Sequence, residues 1–341
     1  MNETDSKNVN EKSSASPQTT SPLRMGPSCL VRSLGVLALA VFGIAAIYFY
    51  QRWFGPEVDP TRTAEIVISS AAKKANAENA VVNEPLPGIL AGISEEAIRT
   101  AEHPLDPFLD VARKAREKLL REVDDYSAVM MNEIRTFAGK QRAPQYMQIK
   151  IRHTRDDANR KIPFSIYTHF LKPKELLGQE AIWIEGQNDG KLIGHPATLN
   201  IKRFYLDPKG SLAMGDNRHP IFELGLERLL NQVIEKGERD RKVGTCEVSF
   251  ERDVNVNGVR CLKIIVRHPI KQEPFDFHLA IIYVDIERQI PIGYEGFDWP
   301  SSPGGEPELI ERYFYSDIEV NKGFTDLDWD PANPEYKFPR F

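Results

Sequence analysis

The stretch Gln145-Tyr146-Met147-Gln148-Ile149-Lys150-Ile151-Arg152-His153 decides the fold class of this chain. Met147, Ile149 and Ile151 alternate with Gln148, Lys150 and Arg152, a period of two that puts one set on a dry face and the other in water. The same period recurs on both sides of it. Residues 125–137, 162–171 and 179–185 read as strands, and shorter ones follow near 191–195 and 200–206. The pattern resumes over 242–251, 258–268, 277–286, 289–295 and 309–319. The segment 277–286 (FHLAIIYVDI) is apolar on both faces, which predicts a central strand.

Two segments carry the helical period instead. Asp106-Pro107 reads as an N-cap with proline in the first turn, and Phe108, Ala112, Ala115, Leu119 and Val123 follow at helical spacing. The second helix is predicted from Pro220 to Lys236, on Ile221, Leu224, Leu229, Val233 and Ile234. No repeat of fixed period is present. Helix, meander, helix, meander is an α+β order, in which helices must cover the dry face of a large antiparallel sheet.

Ahead of this domain stands the apolar run Ser33–Tyr50 (SLGVLALAVFGIAAIYFY), without charge or proline. As a helix it covers about 27 Å, close to the thickness of a bilayer's hydrocarbon core. It is longer than a secretory h-region and ends in Ile47, Tyr48, Phe49 and Tyr50, where a cleavage site needs small residues. Cys29 precedes the run and so does not stand where a lipoprotein cysteine would. The expectation is an uncleaved, single-pass transmembrane signal-anchor that holds the protein to the lipid bilayer, with the N-terminus cytoplasmic and the C-terminal domain in the periplasm or cell envelope. The expected organisation is a disordered tail over 1–28, the anchor over 29–54, an Ala-rich, proline-broken spacer over 55–104 and one domain over 105–341.

Net charge is −5 and no basic block is long enough for a nucleic-acid stripe, so no nucleic-acid partner is expected. Of three cysteines, Cys246 and Cys261 fall in the domain. Asn257-Gly258 predicts a two-residue type I′ hairpin turn, which pairs Val256 with Val259 and sets Cys261 against Val254 and Cys246 against Pro269. Their sulfurs then lie about 26 Å apart along the sheet, beyond disulfide reach, and two buried free thiols are expected.

The order of elements resembles the lipoprotein-carrier fold of the LolA, LolB and LppX proteins, a curved antiparallel half-barrel whose concave face is covered by helices. More specifically, residues 105–341 resemble an uncharacterised bacterial family, a domain of unknown function grouped with that fold. The resemblance rests on Gly178-Gln179-Glu180, on Leu206-Asp207-Pro208 with Gly210 and Met214, and on Arg218-His219-Pro220-Ile221 leading into Gly225-Leu226. It rests further on Tyr313-Phe314-Tyr315-Ser316-Asp317, Asn321-Lys322-Gly323, Asp328-Trp329-Asp330, Asn333, Tyr336 and Phe338. It implies a LolA-like sheet covered by two or more helices, and a lipid or a lipidated protein as partner. The resembling carriers are soluble or lipid-anchored, whereas this chain is expected to be fixed by a helix. It could receive or sense an apolar ligand but not ferry one across a wide gap.

A lipid pocket would be lined by the dry faces of the strands, for which the candidates are Met130, Ile149, Phe164, Ile166, Ile184, Ile264, Val266, Ile281 and Tyr283. The same alternation is what a filled core against two helices requires. Asp326-x-Asp328-x-Asp330 mimics the start of a calcium loop, but Pro331 and Lys337 stand where glycine and a bidentate glutamate are needed, so a capped turn is the better reading. No nucleophile elbow, metalloprotease helix, P-loop or dinucleotide fingerprint is present. Asp216, Arg218 and His219 form the one residual catalytic constellation, more readily explained by capping and ion pairing. Asp276 and His278 share a strand face, two ligands where a metal site needs more. The expectation is therefore a non-enzymatic envelope domain, without cofactor or metal, that binds an apolar ligand in lipid or lipoprotein handling. The alternative is a tethered structural or protein-interaction module with a filled core.

Overall fold

The computed structural model describes residues 85–157, 160–196, 203–215, 217–244 and 246–339. The apolar run Ser33–Tyr50 lies outside the described residues, and among those described no helix is long and apolar enough to cross a membrane. The described part of the expected spacer is not a spacer. Leu86, Leu90 and Ile93, around the 3₁₀ turn Gly88–Gly92, are buried in the same core as the sheet. Helix α1 (Glu95–Thr100) follows, its first turn capped by the Ser94 hydroxyl, which accepts from Ala97 N at 3.0 Å. Helix α2 (Asp106–Glu122) buries Phe108, Ala112, Ala115 and Leu119, the stripe its spacing predicts. Asp106 lies inside the helix rather than at its cap; its carboxylate instead accepts from His103 N and holds Arg241.

The strands are β1 (Asp125–Ile134), β2 (Gln145–Arg152), β3 (Arg155–Asp157), β4 (Arg160–Ile162), β5 (Ser165–Lys172), β6 (Glu180–Ile184), β7 (Leu192–His195) and β8 (Phe204–Leu206). After the short helix α3 (Ser211–Met214) and helix α4 (Leu226–Arg241) come β9 (Glu247–Val256), β10 (Val259–Arg267), β11 (Leu279–Asp285), β12 (Pro291–Asp298) and β13 (Glu308–Val320). All but β3 and β4, which pair with each other, form one open sheet of eleven strands in the order β8-β7-β6-β5-β2-β1-β13-β12-β11-β10-β9. Two meanders are thus joined by one long-range seam, β1 against β13, and the edges are β8 and β9.

The register sets which side chains share a face. Met130 stands opposite Met147 and Tyr315, Tyr313 opposite Tyr294, and Ile282 opposite Tyr294 and Ile264. Paired residues point the same way, so one continuous inner face runs from Phe204 and Leu206 in β8 to Val248 and Phe250 in β9. Helices α2 and α4 pack on it over β10 to β12.

Two boundaries differ from expectation for physical reasons. The predicted helix over 220–236 is a 3₁₀ turn (Ile221–Glu223) and then α4, because Gly225 at φ 108° interrupts the path. The helix then runs on to Arg241, so β9 begins at Glu247 rather than at 242. The hairpin turn is as predicted. Asn257 and Gly258 both have positive φ, Val256 pairs with Val259, and Cys261 pairs with Val254. A bulge between Cys261 and Lys263 shifts the rest by one residue; Cys246 and Cys261 are buried and free.

Candidate functional site

The nine predicted lining residues divide between the two faces. Met130, Ile149, Phe164 and Ile166 lie in the covered core, each 1% exposed or less, and Ile264 and Val266 lie on the same inner face under the helices. Ile184, Ile281 and Tyr283 lie on the outer face. In β11 the inward residues are Ala280 and Ile282, which pair with Val266 and Ile264. A strand apolar on both sides gives no sign of which set faces in, and only its register with β10 and β12 decides it. Tyr283 instead rests beside Phe314 and donates its hydroxyl to Glu295 at 2.8 Å. Ile184 belongs to a second, smaller core with Tyr167, Ile182, Ile193, Trp329 and Phe338.

That outer core explains the C-terminal signature residues. Asp125 accepts from the backbone N–H groups of Gly323 and Phe324, and Asn321 bridges Asp124 N and Glu122 O. Tyr336 stacks on Tyr167 at 4.1 Å, with the ammonium of Lys150 over its ring. Glu180, nearly fully buried, accepts from Tyr167 Oη and Lys337 N. The acidic run is part of the same clasp. Asp326 pairs with Arg152 and Arg160, whose guanidinium groups hold its carboxyl below the usual range, and Asp328 caps Thr325 and pairs with Lys150. These carboxylates are already bonded to cations and backbone; among the described residues no group of three or more His, Cys, Asp or Glu is placed to hold a metal ion.

Among the described residues, two spaces on the inner face bear on binding. The first is an apolar gap of 90 Å³ between α2, α4 and strands β10 to β12, walled by Phe108, Val233, Ile264, Val266, Ala280 and Ile282. The helices meet tightly above it, since a Cβ at Gly237 would stand 2.8 Å from Leu109 Cδ2. The second is a cavity of 220 Å³ over β1, β2 and β5 to β8, roofed by the segment leading into α4.

Of the predicted constellation Asp216, Arg218 and His219, Asp216 lies outside the described residues, and Arg218 and His219 form part of that roof. His219 Nε2 bonds Glu311 at 2.9 Å and Nδ1 bonds Glu223 at 3.0 Å. A carboxylate at each ring nitrogen favours the protonated ring, in which both nitrogens donate. Burial disfavours that charge, but the hydrogen bond and charge of Glu311, helped by Glu223, outweigh it and raise the pKa above 6.5. Arg218 donates to Arg135 O at 2.9 Å and lies 3.6 Å from Glu311. Asp276, expected beside His278, pairs instead with Lys236 and Arg239. The sequence signal for Glu311 is its place in the inward alternation of Tyr315 and Tyr313 in β13.

Fold and site together define an α+β protein on a large open antiparallel sheet, with an apolar face partly covered by two helices. Residues 123–338 match the family described as a protein of unknown function (DUF1571), and the chain belongs to that family. No curated protein matches the sequence. Solved structures similar to it include a DUF1329 family protein from Desulfovibrio piger, at 12% identity and TM-score 0.34 over 67% of this chain and 98% of that one. A putative outer membrane lipoprotein-sorting protein domain from Vibrio parahaemolyticus aligns at 13% identity and TM-score 0.30, over 65% of this chain and 95% of that one. A LolA superfamily protein from Nitrosomonas europaea aligns at 10% identity and TM-score 0.27, over 64% and 96%.

Proposed function

We propose that this protein is a membrane-tethered domain of the cell envelope that binds an apolar ligand, a lipid or the acyl part of a lipidated protein, between α2, α4 and the inner face of its sheet. The observation that carries the reading is the apolar gap of 90 Å³ beneath the helix pair. A gap of that size is below the roughly 300 Å³ at which ligand pockets begin, so an acyl chain enters by lifting the helices from β10 to β12. Each methylene then buried contributes about 0.8 kcal/mol toward offsetting that separation. The doubly bonded His219 supports binding over hydrolysis, because a ring with both nitrogens donating is no general base. The tether is the run Ser33–Tyr50, with the domain on the envelope side. Protease added to spheroplasts is then expected to digest the domain, and full protection would reverse the orientation.

One observation favours the alternative. Met130, Ile149, Phe164 and Ile166 are packed shut, as in a protein-interaction module with a filled core. Native mass spectrometry with lipid extraction, on the full-length chain purified from bacterial membranes, separates the two. We expect an adduct of lipid mass that Ile282→Trp removes by filling the gap, with near-ultraviolet circular dichroism unchanged. Lipid held at the membrane anchor alone would persist in that variant. Identical spectra for the two proteins overturn the binding reading and leave the interaction module.

A further inference from the structure

The pairing of the strands puts four hairpin loops at one end of the sheet. They join β1 to β2, β5 to β6, β10 to β11 and β12 to β13, where Asn132 pairs with Gln145, His169 with Glu180, Arg267 with Leu279 and Asp298 with Glu308. Paired strands lie about 4.8 Å apart, so successive loops of this set are spaced by roughly 10 Å. Three of the four hold one large apolar side chain in solvent: Phe137 is 78% exposed, Leu177 52% and Ile270 71%. Single exposed apolar residues are ordinary, but these share one end, and each has a lysine within three residues, Lys140, Lys174 and Lys271. Lys271 is engaged by Asp298, and the fourth loop adds Glu306. Around Phe137 and Leu177 the balance is cationic: residues 136–144 and 172–178 set Lys140, Arg142, Lys172 and Lys174 against Glu175 alone, in a chain of net charge −5. The opposite end is the reverse. There the exposed Val320 and Leu327 stand beside Glu319, Asp326 and Asp328.

We infer that this end of the sheet docks on an anionic lipid bilayer, with Phe137, Leu177 and Ile270 entering the interface while Lys140, Lys172 and Lys174 meet the lipid phosphates. Apolar side chains gain by leaving water for the boundary of headgroups and acyl chains, and each lysine at an anionic surface adds about fivefold in affinity. Three tips roughly 10 Å to 20 Å apart, on separate loops, do not make the continuous apolar centre of a protein interface. A fluid bilayer takes each tip by itself. Residues 51–84 reach at most roughly 110 Å when extended, which leaves a domain tethered through them free to turn this end to the bilayer. The contact rests neither on that tether nor on a lipid under α2 and α4.

Fluorescence quenching on the full-length chain, reconstituted with vesicles of phosphatidylcholine alone or mixed with phosphatidylglycerol, tests it. A nitrobenzoxadiazole label is placed by Leu177→Cys in a Cys29→Ser background, where the remaining cysteines, Cys246 and Cys261, are buried. Lipids spin-labelled on the acyl chain quench the label only where it enters the bilayer. We expect strong quenching with phosphatidylglycerol, little without it, and none for the same label placed by Leu327→Cys at the opposite end. Lys140→Gln with Lys174→Gln, both at exposed positions, is expected to weaken the contact by about fivefold for each lysine lost. No quenching at position 177 with phosphatidylglycerol present, or equal quenching at positions 177 and 327, overturns the bilayer contact and leaves the exposed tips to a protein partner. The comparison of the two positions holds even if the double lysine variant fails to fold. A lipid adduct that Ile282→Trp removes, together with an unquenched label at position 177, would defeat this contact alone.

Discussion

Gly225→Ala is expected to cost about 4 kcal/mol of folding stability, much of what a domain of this size has to spare. Gly225 holds φ 108° and ψ 168° immediately before α4, a conformation essentially confined to glycine, and forcing an L-residue into it costs about 1–3 kcal/mol. A Cβ there would stand 2.4 Å from Ile151 Cδ1 and 2.7 Å from Tyr126 Oη. Both neighbours are fully buried, so the clash cannot be relieved toward solvent, and overpacking of this kind adds about 1–3 kcal/mol. The shift also breaks the cap. No Ser, Thr, Asp or Asn precedes α4; two tyrosines from the sheet serve instead, Tyr126 Oη accepting from Leu226 N at 2.8 Å and Tyr315 Oη from Gly225 N at 3.2 Å. Urea unfolding followed by tryptophan fluorescence measures the loss. Tyr126→Phe, which removes one cap acceptor without adding an atom, should cost only about 1 kcal/mol. A Gly225→Ala protein within 1 kcal/mol of the natural one would show that this junction yields, and would undercut the close packing of α4 on β1 and β2.

The strands were legible because most of them are wet on one side. In β2 the alternation fixes both the element and its inward set, and the hairpin at Asn257-Gly258 fixes its own register through turn chemistry. Where a strand is dry on both sides the signal vanishes, so sequence alone does not separate Ile281 and Tyr283 from Ala280 and Ile282, the pair that faces in. Ile184 faces out for a related reason: the outer face near β6 is dry because the C-terminal segment folds over it, a contact between residues some 150 apart. The seam of β1 with β13 is equally long-range and carries no local mark. The buried Asn132 did have one. Tyr126, Ala128, Met130 and Ile134 share its parity in β1, so a polar side chain was visibly aimed into an apolar face. His219 shows the converse: its place before a helix was readable, but Glu311 arrives from β13, 92 residues away.

Replacing His219 by glutamine should cost most near pH 5.5 and least near pH 9. His219 and Glu311 form a nearly buried ion pair, and breaking such a pair from one side costs about 3 kcal/mol, chiefly because the partner is left charged and desolvated. Burial alone would push the Glu311 carboxyl up, but the hydrogen bond and charge of His219, with Lys236 and Arg218 behind them, hold it below 4.5. Its contribution is therefore complete above pH 4.5 and is lost as the pH falls through the depressed folded value. The imidazole runs the other way: raised above 6.5 in the folded state, it stabilises fully below pH 6.5, and that share disappears as the pH rises through the folded value. Both contributions are complete only between those limits. Glutamine can keep one hydrogen bond but neither titrates nor carries charge, so the gap between the natural protein and His219→Gln in urea midpoint should narrow steadily above pH 6.5. A gap independent of pH from 5.5 to 9 would mean that folding leaves the imidazole's pKa unchanged, so that the two carboxylates do not hold the ring as a cation. One nitrogen would then be free to accept a proton, and the case for a hydrolytic role at the mouth of the cavity would reopen.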